Sequence, residues 1–325
     1  MAELRYRAGK IKNPRVHKIG VIALGSHLEN HGPALPIDTD AKIGAHIAFQ
    51  ASLESGAKFL GIVFPAYELD EIDHGVHVSL DELKANVIST LNSAKKYLDI
   101  EKVVIVNSHG GNIPLMTELY DIEDKTDLTI IFNNKIISTE GPHGGSGELS
   151  MAKVLGIINE AEIENQTDLS KYEEVGLYGF KQARENDPNI EEGARDVEEN
   201  GVYVDEIYGK QLFDLAINSV VFDIKKKIKF KEFFLHHPPQ FQKHLHLNHR
   251  EYLRQDYVRE CLENHDYILN PDFEMRLIQN HLMKNSCNHF RNRQLMNHLQ
   301  KHHQYCYLMN SANLFHLVKC LFLRS

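Results

Sequence analysis

The chain has 325 residues, of which 42% are hydrophobic and 25% are charged, a composition typical of a globular protein with a buried core. Its formal net charge of −9 argues against a nucleic-acid partner, because binding to phosphates needs a basic surface. No stretch approaches the roughly 20 apolar residues of a membrane-spanning helix, and the first residues lack the apolar segment of a secretory signal. We therefore expect a cytoplasmic protein without a membrane partner.

The composition changes sharply near residue 230. All four cysteines and 12 of the 20 histidines lie beyond that point, whereas all 20 glycines lie at or before Gly209. Residues 1–230 carry a formal charge of −13 and the remainder carries +4. We predict a folded domain over residues 1–228 and a His- and Asn-rich tail over 229–325. The tail is expected to be disordered, appended or translated out of frame, and a tail that gathers metal or binds a partner is the alternative.

Short β-branched runs alternate with helical patterns along the first part of the chain. The predicted strands, nearly continuous in apolar character as strands buried on both faces are, cover residues 18–24, 58–64, 102–107 and 128–132. The predicted helices cover residues 40–55, 79–97, 113–121 and about 208–228. Ser79 and Glu82 form a capping signal at the start of the second helix. This alternation predicts an α/β fold with a mainly parallel sheet and helices on both faces.

Three segments rich in metal-ligating side chains follow three of the predicted strands. They are ENHGPALPIDTD at 29–40, NSHGGN at 107–112 and GPHGGSGELS at 141–150. Because α/β proteins bind ligands beyond the carboxyl ends of their parallel strands, we expect these segments to meet. The side chains that they deliver are Glu29, His31, Asp40, His109, His143 and Glu148. Carboxylates and imidazoles without thiolates suit Fe(II), Mn(II) or Zn(II), and two ions ~3.5–4 Å apart need a bridging carboxylate, for which we choose Asp40.

Each of these residues also has a simpler interpretation. A single histidine after a strand is more often packed or hydrogen-bonded than a metal ligand. Asp38 is better explained as a turn carboxylate that caps a helix, and His74 and His77 could either contact a substrate or line a loop. The metal site is favoured because three separate strand ends would otherwise have to deliver metal-type residues together by chance.

The segments LGSHLENHGPALPIDTD, NSHGGN and GPHGGSGELS together resemble the creatininase family of metal-dependent amidohydrolases, and the resemblance covers about residues 2–228. It implies a three-layer αβα fold with a mainly parallel sheet. It also implies two divalent ions per subunit, with Fe(II) favoured and Mn(II) or Zn(II) as alternatives, and a homo-oligomer. In the family pattern, Glu29 and His109 are ligands of one ion, His31 is a ligand of the other and Asp40 is the bridge.

The chain departs from the family pattern in three respects. Creatininase has a glutamate two residues after the histidine of the second motif, but this chain has Gly111 there. Glu148 is therefore expected to complete the ligands of the second ion. The usual Asn-Gly-His of the second motif is Asn107-Ser108-His109, which removes no ligand. The chain has no tryptophan, which counts against creatinine as substrate, since creatininase covers its substrate with tryptophans.

Within the family, the motifs are most similar to members that hydrolyse the formamide of a small phosphorylated pyrimidine, in archaeal riboflavin and deazaflavin coenzyme synthesis. In this interpretation His143 and Glu148 are catalytic, and His143 passes a proton to the departing nitrogen. The candidate substrate contacts are His74, His77, Gly110, Gly111 and Asn112. The alternatives are hydrolysis of another small amide and a metal-bound scaffold without catalytic activity.

Overall fold

A computed structural model of the chain describes residues 9–235, so the predicted tail lies outside the described residues except for its first few positions. Four parallel strands form one sheet in the order β2-β1-β3-β4. They are β1 (Ile19–Leu24), β2 (Lys58–Val63), β3 (Lys102–Asn107) and β4 (Thr129–Asn133). Each strand matches its predicted run within one residue at either end.

The strands differ in burial according to their place in the sheet. All six residues of β1 are buried, and so are all residues of β3 after Lys102. The prediction that all four strands are buried on both faces is wrong for β2 and β4, which keep several partly exposed side chains. Both lie at the edges of the described sheet, where helices cover less of each side chain.

Seven α-helices and several 3-10 turns connect and cover the described strands. The helices are α1 (Thr39–Ser55), α2 (Leu80–Leu98), α3 (Leu119–Thr126), α4 (Ser146–Leu155), α5 (Lys181–Asn186), α6 (Pro188–Asn200) and α7 (Glu206–Leu235). The predicted cap of α2 is present, because Ser79 Oγ accepts a hydrogen bond from the Glu82 N–H at 3.3 Å. The helix predicted at 113–121 is instead a 3-10 helix at Gly110–Glu118 followed by α3, since Pro114 lacks the N–H that an α-helix needs. Helix α7 continues to Leu235, beyond the predicted boundary at residue 228.

Two apolar clusters pack on opposite faces of the sheet. On one face, Val21 and Val104 pack with side chains of α1 and α7. On the other face, Ile22 and Ile105 pack with side chains of α2 and α3. Neighbouring residues of β1 and β3 therefore point into different clusters, as the period of two in a strand requires. The predicted three-layer αβα fold with a parallel sheet is confirmed, and none of its described helices is long and apolar enough to cross a membrane.

Candidate metal centre

The three predicted segments meet at the carboxyl ends of the strands. The first leaves β1 and runs into α1, the second leaves β3, and the third follows β4 and enters α4. Their five candidate ligands are all buried, at 1% to 4% exposure: Glu29, His31, Asp40, His109 and Glu148. Side chains of this kind are rarely buried without a partner or a metal, so the cluster is the chemically unusual part of the fold.

Asp40, in the first turn of α1, lies between two histidines. Its Oδ1 is 3.0 Å from His31 Nε2 and its Oδ2 is 2.9 Å from His109 Nδ1. Glu29 Oε2 is also 2.9 Å from His109 Nδ1, and Glu148 Oε2 is 3.7 Å from His31 Nε2. Each oxygen of Asp40 thus faces a different group of candidate ligands, which is the arrangement that a bridging carboxylate needs.

Backbone carbonyls fix the orientation of both histidine rings. His31 Nδ1 donates to the Glu29 carbonyl at 3.0 Å, and His109 Nε2 donates to the Tyr67 carbonyl at 3.0 Å. The remaining nitrogen of each ring therefore faces Asp40. Histidines that bind metals commonly donate their other N–H to a carbonyl or carboxylate in this way.

The charges of the cluster favour the protonated forms of His31 and His109. Burial alone would lower the pKa of His31, but the carboxylates of Asp40, Glu148 and Glu29 outweigh it and raise the pKa to about 10. Burial likewise opposes the charged form of His109, yet Glu29 and Asp40 raise its pKa well above the ordinary value. In the metal-free protein the Asp40-facing nitrogens hold protons, and binding of a metal ion would displace them.

The carboxylates carry more negative charge than the described side chains neutralise. Every ion-pair partner of Glu29, Asp40 and Glu148 within the described residues is a histidine. Burial, together with Asp40 and Glu29, raises the pKa of Glu148 to about 8 although His31 opposes it. Glu29 Oε2 is buried and accepts no hydrogen bond of acceptable geometry among the described residues, because the nearby His109 Nδ1 bonds to Asp40 Oδ2. These donors fit divalent cations, and Glu29, His31 and Asp40 are one of several groups whose ligand atoms lie within 4.8 Å of one another.

His143 and His74 stand on one side of this centre. His143 Nε2 donates to the Asn30 carbonyl at 2.8 Å, and its Nδ1 is 3.5 Å from Glu29 Oε1. His74 Nε2 is 2.8 Å from the same oxygen of Glu29. Burial and the neighbouring His31 and His74 hold the pKa of His143 well below its ordinary value. His143 is therefore neutral at pH 7, with its lone pair on Nδ1 toward the centre.

The other candidate substrate contacts divide into two groups. The His77 ring stacks on the His109 ring at 5.3 Å, and Gly110 is exposed. Gly111 and Asn112 are buried, and Asn112 Oδ1 accepts a hydrogen bond from the Tyr67 N–H at 2.9 Å. The structure thus brings His77 to the centre and leaves Gly110 exposed next to His109 in the chain, whereas Asn112 supports the backbone of a neighbouring loop.

Comparison with known protein families shows to which family the chain belongs. The family model described as "Creatininase: Creatinine amidohydrolase" matches residues 10–222. The chain belongs to the creatininase family. The resemblance predicted from the three motifs is thereby confirmed.

Several relatives share a single name. The "2-amino-5-formylamino-6-ribosylaminopyrimidin-4(3H)-one 5'-monophosphate deformylase" of Methanobrevibacter smithii is 98% identical over 230 residues, covering 71% of this chain and 100% of that protein. The protein of the same name from Methanobrevibacter ruminantium is 69% identical over 228 residues, covering 70% of this chain and 97% of that protein. Among solved structures, a crystal structure of creatinine amidohydrolase (creatininase) matches with a TM-score of 0.45 at 12% identity, covering 66% of this chain and 92% of that chain.

Three polar residues with buried side chains in this creatininase-family centre were missed from the sequence. Glu68 lies near His109, and burial, together with the charges of Glu148 and Asp40, raises the pKa of Glu140 well above the ordinary value. Gln166 is fully buried and donates to the His31 carbonyl at 2.6 Å and to the Gly144 carbonyl at 2.8 Å. Gln166 thereby ties the first segment to the third. The acidic run around Glu68 is typical of a surface loop, and Gln166 has no local motif at all.

Proposed function

We propose that this chain is a 2-amino-5-formylamino-6-ribosylaminopyrimidin-4(3H)-one 5'-monophosphate deformylase, which hydrolyses the formamide of a small phosphorylated pyrimidine to formate and the amine. The observation that carries the proposal is the 98% identity to a protein of that name, over the whole length of that protein. A substrate difference would require the few remaining substitutions to rebuild the site. The buried cluster of carboxylates and imidazoles supplies the chemistry that such a hydrolase needs.

The centre is proposed to hold two divalent ions. Glu29, Asp40 and His109 would hold one, and His31, Asp40 and Glu148 would hold the other. The donors suit Fe(II), Mn(II) and Zn(II), and Fe(II) is our first choice. When bound, the ions would lower the pKa of a coordinated water toward ~7 and polarise the formyl oxygen as Lewis acids.

His143 is proposed to move the proton that the reaction transfers. Hydrolysis joins a water oxygen to the formyl carbon and breaks the carbon–nitrogen bond, and one proton of the water ends on the departing nitrogen. Because His143 Nε2 is held by the Asn30 carbonyl, Nδ1 is the atom that faces the centre. The neutral ring can accept the proton at Nδ1 and then deliver it, which is the role of a general base followed by a general acid.

The substrate is proposed to contact His74, His77 and Gly110. The Phe180 and His74 rings meet edge to face with 5.4 Å between their centroids, so an aromatic ring lies beside the proposed contact at His74. Gly110 begins the 3-10 helix Gly110–Glu118, and its exposed backbone N–H is a candidate contact for the phosphate.

The cellular setting follows from this reaction. We propose that the enzyme acts in the cytoplasm, in riboflavin and deazaflavin coenzyme synthesis, and as a homo-oligomer. We also propose that the hydrolase domain ends within α7, because the family match ends at residue 222.

The substrate assignment is tested by measuring formate release. The purified full chain, loaded anaerobically with Fe(II), Mn(II) or Zn(II), is given the formylaminopyrimidine ribotide, creatinine and simple formamides. The ribotide should release formate, and simple formamides should react poorly, because ring and phosphate contacts position the formyl group. Equal rates on all formamides would reduce the assignment to a general amidohydrolase. Turnover of creatinine without formate release from the ribotide would overturn it.

A further inference from the structure

A short segment after β2 packs against the outer side of His109. His109 Nε2 is 3.0 Å from the Tyr67 carbonyl oxygen and 3.5 Å from Glu68 Oε2. The Glu68 side chain is only 7% exposed, and its Oε1 accepts a hydrogen bond from the Leu69 N–H at 2.7 Å. A carboxylate that is buried and fixed in this way faces the ring nitrogen of His109 that points away from Asp40.

The residues that follow His109 shape the place where Glu68 lies. A Cβ atom at Gly111 would lie 2.4 Å from the Tyr67 carbonyl oxygen, 2.6 Å from His109 Nε2 and 2.7 Å from Glu68 Oε1. A side chain at position 111 would therefore force the Tyr67–Glu68 segment away from the histidine. Asn112 holds the same segment through the Tyr67 N–H. Gly111 and Asn112 thus make a fitted place for Glu68 beside His109.

We propose that Glu68 is a positioning residue for His109, which fixes the Nε2–H tautomer and strengthens Nδ1 as a donor to a divalent ion. A negative charge next to the N–H of a ligating histidine makes the opposite nitrogen more basic, and loss of such an outer partner costs about 10–100-fold in metal affinity or activity. The Tyr67 carbonyl orients the ring by itself, so the particular contribution of Glu68 is its charge. The inference rests on the metal centre of the proposed function and not on the identity of the substrate.

The test compares Glu68→Gln with the wild type and with Asp70→Asn, which removes an exposed carboxylate from the same loop. Metal-free proteins are titrated with Mn(II) by calorimetry, and bound Mn(II) is followed by its electron paramagnetic resonance signal. Glu68→Gln should weaken one of the two binding events by about 10-fold or more, while Asp70→Asn should bind as the wild type does. The melting temperature of the metal-free protein should be unchanged by Glu68→Gln, because its shape is kept.

A second variant disturbs the contact between Glu68 and His109 without changing Glu68 itself. Gly111→Ala keeps the Glu68 carboxylate, but its Cβ would meet Glu68 Oε1, the Tyr67 carbonyl oxygen and His109 Nε2 together, so the same binding event should weaken at least as much as in Glu68→Gln. Wild-type Mn(II) affinity in Glu68→Gln, whatever Gly111→Ala shows, would overturn the inference and leave the proposed function intact. A wild-type protein that binds no Mn(II) would overturn the metal centre and the inference together. Normal Mn(II) binding, weakened in both variants, without formate release would overturn the deformylase assignment alone.

Discussion

The central strands and the loops at their carboxyl ends are equally buried, but their chemistry is opposite. The six residues of β1 are all apolar and all buried, whereas the side chains of Glu29, Asp40 and Glu148 are buried carboxylates. Burial of apolar area stabilises the fold by roughly 25 cal/mol per Å², while burial of charge opposes folding unless a partner compensates it. The apolar burial of the sheet therefore offsets the free-energy cost of burying the carboxylates. The buried carboxylates and imidazoles in turn provide the ligands for ions.

The largest effect is expected when the charge of the buried cluster is changed without a change in its shape. Asp40→Asn should fold, lose at least one metal ion per chain and lose turnover by about 10²–10³-fold, the range that one well-placed electrostatic group is worth at an active site. Elemental analysis and formate release measure both effects. Asp38→Asn is the control, because Asp38 lies in the same loop but pairs with Lys42 at 2.6 Å and faces solvent. Full metal occupancy with retained turnover in Asp40→Asn would show that Asp40 is not the bridge.

A change in the apolar region should have the converse effect. Leu91 is fully buried in α2 and lies outside the three motif segments. Leu91→Ala should lower the free energy of unfolding by about 2–5 kcal/mol and leave the metal content of the folded protein unchanged. Asn92→Ala, at an exposed position of the same helix, is expected to change stability by less than about 0.5 kcal/mol. Chemical denaturation measures both, and a loss of bound metal in folded Leu91→Ala would mean that core and centre are not separable.

Lys227 tests the effect of a partly buried charge outside the centre. Burial lowers the pKa of Lys227 to about 8, although Glu123 opposes the shift. Between pH 8 and the ordinary lysine pKa of about 10.4, the unfolded chain binds more protons than the folded one. The free energy of unfolding should therefore rise with pH in that window. Lys227→Met should lack this rise and should be more stable at pH 7 by on the order of 1–3 kcal/mol. The control is Lys225→Met, at an exposed position of α7, and equal pH profiles for Lys227→Met and the wild type would contradict the burial of this charge.

The smallest effect is expected from removal of residues 236–325, beyond α7. The family match ends at residue 222, and the Methanobrevibacter smithii relative is covered completely by an alignment of 230 residues. Formate release and the melting temperature should therefore be essentially unchanged in the shortened chain. A large loss of either would show that the hydrolase domain depends on this segment.

The strands of the sheet and the three motif segments could both be predicted from the sequence, because both are local patterns. Runs such as KVVIV mark a strand wherever they occur, and NSHGGN follows its strand directly. The contacts that complete the centre are not local. Gln166 reaches the His31 carbonyl across 135 positions of the chain, and Glu68 reaches His109 across 41.

Dependence on contacts between distant parts of the chain also explains why some elements of the fold were predicted wrongly or missed. Burial of β2 depended on its being at the edge of the sheet, which its own residues do not encode. Helix α5 spans only six residues, which is too short for a helical period to be detected, and α6 buries only the small side chains of Ala194 and Val197. Tertiary context, and not propensity, decided these elements.

The central claim is that turnover depends on two ions held by the buried cluster. The most direct measurement is a titration of the metal-free full chain with Fe(II) under anaerobic conditions, with the rate of formate release from the ribotide recorded at each ratio of metal to protein. The account predicts no turnover without metal and a rate that rises to a plateau at two ions per chain. Full formate release from the metal-free chain, or a plateau reached at a single ion, would contradict it.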